Sequence, residues 1–208
     1  MIVAVDGPTA SGKGTLSKRI AAHFGLPHLD TGLLYRAIGR QVLLNGGDPD
    51  KPEDALAAVD FPDSLLDEPV LRNEATGSLA SRASVHPAVR KALFERQRAF
   101  AQQDGGAVLD GRDIGTVIAP DADVKLFITA SVEARAQRRF TEMQERGVSI
   151  TLAEIEADLR RRDERDTNRK DAPLAAAQDA FVIDTSALGI QEAFAAALEA
   201  IEATQRST

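Results

Sequence analysis

The run IVAVDGPTASGKGT, Ile2–Thr15, sets a short apolar stretch directly before a glycine-rich turn. Ile2–Val5 is rich in β-branched residues and suits a buried strand. The residues after it, Gly7, Pro8, Thr9, Ala10, Ser11, Gly12, Lys13, Gly14 and Thr15, read as a phosphate loop that opens a helix near Gly14. Its glycines let successive backbone N–H groups converge as a nest for phosphate oxygens. The helix N-terminus adds partial positive charge, and Lys13 supplies a mobile full charge to the outer phosphates. The plain alternative is a tight turn with a surface lysine. The spacing of Gly7, Gly12 and Lys13 after a strand favours a nucleoside triphosphate site.

The common form of this loop has Ser or Thr directly after the lysine, with its hydroxyl on magnesium. Here that position is Gly14, and the hydroxyl arrives one residue later at Thr15. Mg²⁺ is therefore expected on the phosphates and waters, which suits its reluctance to dehydrate; no protein ligand for it is assigned. A GKGT loop with Pro8 after the first glycine resembles the nucleoside-monophosphate kinases more than the GTPases.

Outward from the loop, Ala107–Leu109, Val124–Ile128 and Phe181–Ile183 repeat the strand signature, and Pro27–Leu29 is a weaker fifth candidate. Helical patterns fall between them at Thr15–Phe24, Gly32–Leu44, Ala88–Gln103, Val132–Glu145, Leu152–Arg162 and Ile190–Ala203. This alternation predicts an α/β fold, a doubly wound parallel five-stranded sheet flanked by helices, with ligands at the carboxyl ends of the strands. Ser131 and Thr151 with Glu154 look like helix starts, and Gly147 like a stop. Asp48–Leu71, with Pro49, Pro52, Pro62 and Pro69, is turn-rich and reads as an insertion over the site. Asp163–Pro173 is dense in charge and reads as a mobile cover. The tail Gln205–Thr208 is polar and expected to fray.

Composition removes several classes. A chain of 208 residues accommodates one such domain, and a net charge of −7 argues against a nucleic-acid polymer or a membrane surface as partner. With 4% aromatic residues and no Trp, a base-stacking platform is not expected. No cysteine means no disulfide and no thiolate metal site, which fits a cytoplasmic protein. Neither a targeting segment nor a membrane-spanning stretch is visible, and without an association stripe a monomer is expected. His23, His28 and His86 lack metal-ligand spacing and read as packing or surface residues.

Three further motifs carry chemistry. In LDTGLLYR, Leu29–Arg36, a Thr31 N-cap would place Tyr35 and Arg36 one turn into a helix facing the loop, where an arginine fork suits phosphate; a capped surface helix with a solvated arginine remains open. In VLDGRDIGT, Val108–Thr116, Asp110 ends a strand and can order magnesium-bound water, while Arg112 can bridge two phosphoryl groups; a loop ion pair between Arg112 and Asp113 is the alternative. In RRRDERDTNR, Arg160–Arg169, the residues Arg162, Asp166 and Arg169 fall on one helical face, where they could hold phosphate or simply lace a solvated helix.

Together these motifs resemble the bacterial cytidylate kinases over nearly the whole chain. The carrying residues are GPTASGKGT at Gly7, LDTGLLYR at Leu29, VRKALFERQRAF at Val89, LDGRDIGTV at Leu109, RDERDTNR at Arg162 and APL at Ala172. The resemblance implies transfer of the ATP γ-phosphoryl group to CMP or dCMP in pyrimidine metabolism, with Mg²⁺. It implies one P-loop kinase domain over 1–208, with 31–104 as the acceptor-binding part and 146–172 as the lid. It makes Arg36, Arg112 and Arg169 the acceptor-phosphate arginines, puts Arg162 and Asp166 near the ribose and phosphates, and gives Ser81, Arg90 and Asp113 the cytosine. Lys13, Asp110, Arg112, Arg162 and Arg169 are the expected catalytic set; Thr31 and Tyr35 join the acceptor side. Arg135, Arg138 and Arg139 are candidates for the lid side of ATP by position.

The chain departs from longer members, which carry a β-rich hairpin before the Ser81 region; Phe61–Arg72 is short and shows none. Another small-molecule kinase on the same scaffold, such as a shikimate or dephospho-coenzyme A kinase, would be indifferent to CMP. A non-catalytic nucleotide-binding regulator would bind ATP without phosphotransfer.

Overall fold

A computed structural model of the chain describes residues 1–207. Five strands, β1 (Ile2–Asp6), β2 (His28–Asp30), β3 (Ala107–Gly111), β4 (Val124–Thr129) and β5 (Phe181–Asp184), form one parallel sheet in the order β2-β3-β1-β4-β5. This is the expected doubly wound sheet. Eight α-helices are described: α1 (Lys13–Phe24), α2 (Thr31–Leu44), α3 (Pro52–Ala57), α4 (Glu74–Ala83), α5 (Pro87–Ala101), α6 (Val132–Glu145), α7 (Leu152–Asn168) and α8 (Ile190–Ser207).

The central strands are aliphatic on both faces because helices cover both. On one face Leu16 and Ile20 of α1 and Ala197 and Ile201 of α8 pack on Val3, Val5, Leu126 and Ile128. On the other, Ala101, Ile114 and Ile118 pack on Ala4 and Leu109. A separate cluster joins α2, α3, α4 and α5 through Leu34, Ile38, Ala55, Leu71, Ala83 and Val89. A small one, Ala136, Met143, Ile155 and Leu159, holds α6 to α7. Each fully buried Ile or Leu contributes about 1.5–3 kcal/mol relative to exposure.

β1 pairs with β3 on one side and β4 on the other, so the turn after β1 opens at the point where the strand order diverges. That crevice is where a sheet of this type receives its ligand. Gly147 ends α6 in a left-handed turn, and the Thr151–Glu154 capping box starts α7.

Four expectations change. The helix α7 does not stop at Arg162 but runs to Asn168, so most of the charged stretch is helical and not a loop. Arg169 follows in extended backbone (φ −66°, ψ 142°) and is off the helical face assigned to it. The helix α4 was not anticipated: Gly77, Ser78 and Ser81 are weak helix formers, and the Asn73 side chain, accepting from Thr76 N–H, starts it. At the other end of the chain α8 continues through Ser207 where fraying was expected, and Thr208 lies outside the described residues. The insertion is turn-rich as expected, with α3 and two short 3₁₀ turns at Asp63–Asp67 and Pro69–Arg72.

Candidate functional site: a phosphate loop facing an arginine cluster

The loop after β1 has the backbone that its sequence requires. Gly7 runs so close to β4 that a Cβ there would sit 2.0 Å from the Ile128 carbonyl oxygen. Gly12 is left-handed (φ 91°), as is Ala10 (φ 63°), an uncommon conformation for a residue with a side chain. The N-terminus of α1 has no side-chain cap, so its N–H groups remain available to an anion. Lys13 is 9% exposed and donates to the Pro8 carbonyl at 3.2 Å. Burial, reinforced by the nearby Arg112, pulls its pKa down to about 7, against the pull of Asp110, Asp30 and Asp166.

The loop lines a cleft of about 910 Å³ that also reaches α2, α4, the end of β3, α6 and α7. Thr9 to Thr15 line it, and so do Thr31, Tyr35, Arg36, Ser81, Arg90, Asp110, Arg112, Asp113, Arg162, Asp166 and Arg169. Of the phosphate-loop candidates, Gly7 and Pro8 do not line it.

Asp30 and Asp110 are register partners at the ends of β2 and β3. Asp30, not Thr31, caps α2: its carboxylate accepts the Leu33 N–H at 3.2 Å, while the Thr31 hydroxyl donates to the Asp110 carbonyl oxygen at 2.8 Å. The helix begins one residue earlier than the cap assignment assumed, with Asp30 both ending β2 and capping α2. Burial and the neighbouring Asp110 push the Asp30 carboxyl up, which is the electrostatic setting that attracts a cation. Among the described residues no group of three or more His, Cys, Asp or Glu could cage a metal. The pair therefore suits a hydrated ion already carried by phosphates, in keeping with the side-chain-free Gly14 beside it.

Arg112 spans the cleft. Its Nη2 donates to the Thr9 hydroxyl at 2.6 Å and its Nε to the Asp166 carboxylate at 2.7 Å, so one planar group ties the phosphate loop to α7. Asp113, its partner in the alternative reading, pairs instead with Arg90, whose guanidinium lies 5.8 Å from the Tyr35 ring centroid. Burial opposes ionisation of Asp166, but Arg112 and Arg169 outweigh it and hold the carboxyl low. The Ala172 turn (φ 49°) returns its carbonyl to accept from Arg169 Nε at 2.7 Å. Arg169 Nη2 lies 3.8 Å from Asp113 and is buried without a hydrogen-bond acceptor, a donor left for a ligand. Arg36 donates to the carbonyls of Leu71 and Asn73, and burial together with Arg162 lowers its pKa to about 10.

Of the three arginines placed by position, Arg138 and Arg139 line the cleft and Arg135 does not. Arg135 is 3% exposed and braces the loop from outside, donating to the Thr9 carbonyl at 3.1 Å and to Asp163. Arg139 and Arg162 both pair with Glu74. Sequence reasoning missed Glu74, Asp30, His28 and Asp6. Asp6 accepts the Ile114 and Gly115 N–H groups at 2.8 Å each and so fixes the segment after Asp113; a carboxylate ending β1 was the available signal.

Comparison with known proteins follows the same line. A family model described as cytidylate kinase matches residues 3–203. The cytidylate kinase of Azorhizobium caulinodans is 55% identical over 202 residues, covering 97% of this chain and 98% of that protein. The cytidylate kinase of Xanthobacter autotrophicus is 54% identical over 203 residues, covering 98% of each. A crystal structure of an uncharacterized protein from Eubacterium ventriosum superposes with a TM-score of 0.57 at 14% identity, over 97% of this chain and 98% of that one, a likeness of fold alone.

Proposed function

The chain belongs to the cytidylate kinase family, and from that premise we propose how its cleft moves the γ-phosphoryl group of ATP to CMP or dCMP, giving ADP and CDP or dCDP. The observation that carries the reading is Arg112, held between Thr9 of the phosphate loop and Asp166 of α7. A guanidinium at that junction is placed to bridge donor and acceptor phosphoryl groups.

The loop from Gly7 to Thr15 binds the ATP phosphates through backbone N–H groups, with Lys13 turning from the Pro8 carbonyl to the outer phosphates. Arg36, Arg112 and Arg169 take the acceptor phosphate, and Arg162 and Asp166 take the ribose side. Asp110 and Asp30 would hold Mg²⁺ through its waters, and that ion, when bound, neutralises charge on the phosphoryl oxygens. The acceptor phosphate is largely ionised at neutral pH, so no side chain is needed as a base. Catalysis is then positioning and charge stabilisation by Lys13 and the arginines.

Ser81, Arg90 and Asp113 read the base, and Tyr35 and Thr31 complete the acceptor side. The cytosine amine wants an acceptor such as Asp113, and the ring nitrogen and carbonyl want a donor such as Arg90. Uracil would set its carbonyl against that carboxylate and leave it unpaired. Residues 31–104 serve as the acceptor-binding part and 146–172 as the lid of one domain. The protein acts as a cytoplasmic monomer, where its nucleotide substrates are made and used.

The test is ADP formation from ATP and Mg²⁺ against CMP, dCMP, UMP, AMP and GMP. Strong turnover with CMP and dCMP and little with the rest is expected. Equal turnover with UMP would remove the base-reading assignment, and no turnover with any acceptor would remove the reaction.

A further inference from the structure

Ser81 lines the cleft on α4, and its hydroxyl accepts a hydrogen bond of 2.5 Å from Arg165 Nη1 on α7. Arg165 is not among the residues that line the cleft, and Ser81 is the cleft residue it bonds. A lone serine hydroxyl rotates among staggered wells and can offer a proton or a lone pair in several directions. A guanidinium donor is directional and charge-assisted, and it occupies one of the two lone pairs. What remains for a ligand is one proton and one lone pair in a fixed orientation.

We propose that Arg165 is a positioning residue for acceptor-base selection, holding the Ser81 hydroxyl in the orientation that the base meets. The proposal rests on the reading of Ser81 as a base-contacting residue and extends it to a residue outside the cleft. Arg162, Arg165 and Asp166 fall at i, i+3 and i+4 and so share a face of α7. Arg162 pairs with Glu74 of α4, and Asp166 holds Arg112 at 2.7 Å. One helix face therefore sets both the phosphate-side arginines and the base-side serine. Base reading is complete only when α7 lies on α4, which couples acceptor choice to closure of the phosphoryl-transfer side.

A simple staple between two helices would look the same in the fold, so the test must separate the two. Steady-state kinetics with CMP and UMP are measured for Arg165→Met, Arg165→Lys, Ser81→Ala and the double variant Ser81→Ala/Arg165→Met, each checked by thermal unfolding. Arg165→Met is expected to raise KM for CMP about tenfold, the scale of one charged hydrogen bond, and to narrow the CMP/UMP ratio of kcat/KM similarly. KM for ATP should stay within about twofold, because Arg165 does not reach the phosphate loop. Arg165→Lys keeps a donor and should recover part of the selection, and it serves if the Met variant does not fold. In the Ser81→Ala background, Arg165→Met should change selection no further.

An equal effect in that background, or a loss of kcat for all acceptors with the ratio unchanged, would reduce Arg165 to a staple. An unchanged ratio in Ser81→Ala alone would show instead that Ser81 does not read the base, and the proposal would fall with that reading.

Discussion

His28 Nε2 lies 2.7 Å from Asp110 Oδ2, joining the first residue of β2 to a carboxylate at the carboxyl end of β3. Asp110 is 3% exposed, and its Oδ1 also faces Gly14 at the start of α1. Removing the imidazole would leave a buried carboxylate oxygen short of a donor, at a cost of about 1–3 kcal/mol. His28→Ala should therefore lower the unfolding midpoint in urea and raise the Mg²⁺ concentration needed for half-maximal turnover. His28→Gln, which can still donate, should lie nearer the parent. Parental values for both properties in the Ala variant would show that the pair does not position Asp110.

Arg112→Ala should cost roughly 3 kcal/mol of transition-state stabilisation, the scale seen when a single oxyanion donor is removed. Its loss also strips Asp166, which is 6% exposed, of the partner bonded at 2.7 Å. A stability loss of about 1–2 kcal/mol should accompany the kinetic one. Comparing kcat/KM with the melting transition checks the difference in size; equal losses would make Arg112 a structural group.

Lys13, with a pKa of about 7 instead of its usual 10.5, is mostly neutral in the free protein at pH 8. A lysine depressed by burial is penalised for carrying charge, so this group disfavours the fold below pH 7 and ceases to do so above 10.5. Nucleotide phosphates restore the charge. ATP binding at pH 8 should take up a fraction of a proton, and affinity should fall as pH rises beyond 7. Calorimetry in two buffers of different ionisation enthalpy reads this directly, and a heat independent of buffer would contradict it.

Burial works against ionisation of Glu74, but Arg162 and Arg139 outweigh it and hold the carboxyl below its usual range. The stabilisation is full above the unfolded pKa of about 4.5 and is lost as pH falls through the lower folded value. Glu74→Gln should destabilise by about 1–2 kcal/mol at pH 7, since it leaves two arginines without their shared partner. The gap between variant and parent should close below pH 4.5 in urea titrations. A gap constant down to pH 3 would mean that the charge is not what Glu74 contributes.

The phosphate loop and the parallel sheet could be read from the chain because their signals are local. Gly7, Gly12 and Lys13 are fixed in number and spacing by the phosphate they surround, and Ile2–Val5 and Val124–Ile128 are apolar because both faces of the sheet are covered. Local signals also had limits. The start of α4 hangs on one Asn73 side chain and its middle holds Gly77 and Ser78, so helical periodicity was too weak to reveal it. Asp163–Asn168 was read as part of a loop because charge density resembles one, although charged residues paired along a helix are stable.

Partner choice was settled by the fold. Nothing in the chain distinguishes Asp113 from Asp166 as the partner of Arg112, since both are a carboxylate on a polar stretch. The paths of β3 and α7 in three dimensions bring Asp166 to 2.7 Å and turn Asp113 toward Arg90. In the same way Glu74, His28 and Arg165 carry no motif, and each gained its place from a residue more than 80 positions away or from an arginine that α6 presents. Backbone geometry and burial repeat over a few residues and so are written in sequence order. Charge pairing in a buried cleft is decided by distance, which only the packed elements define.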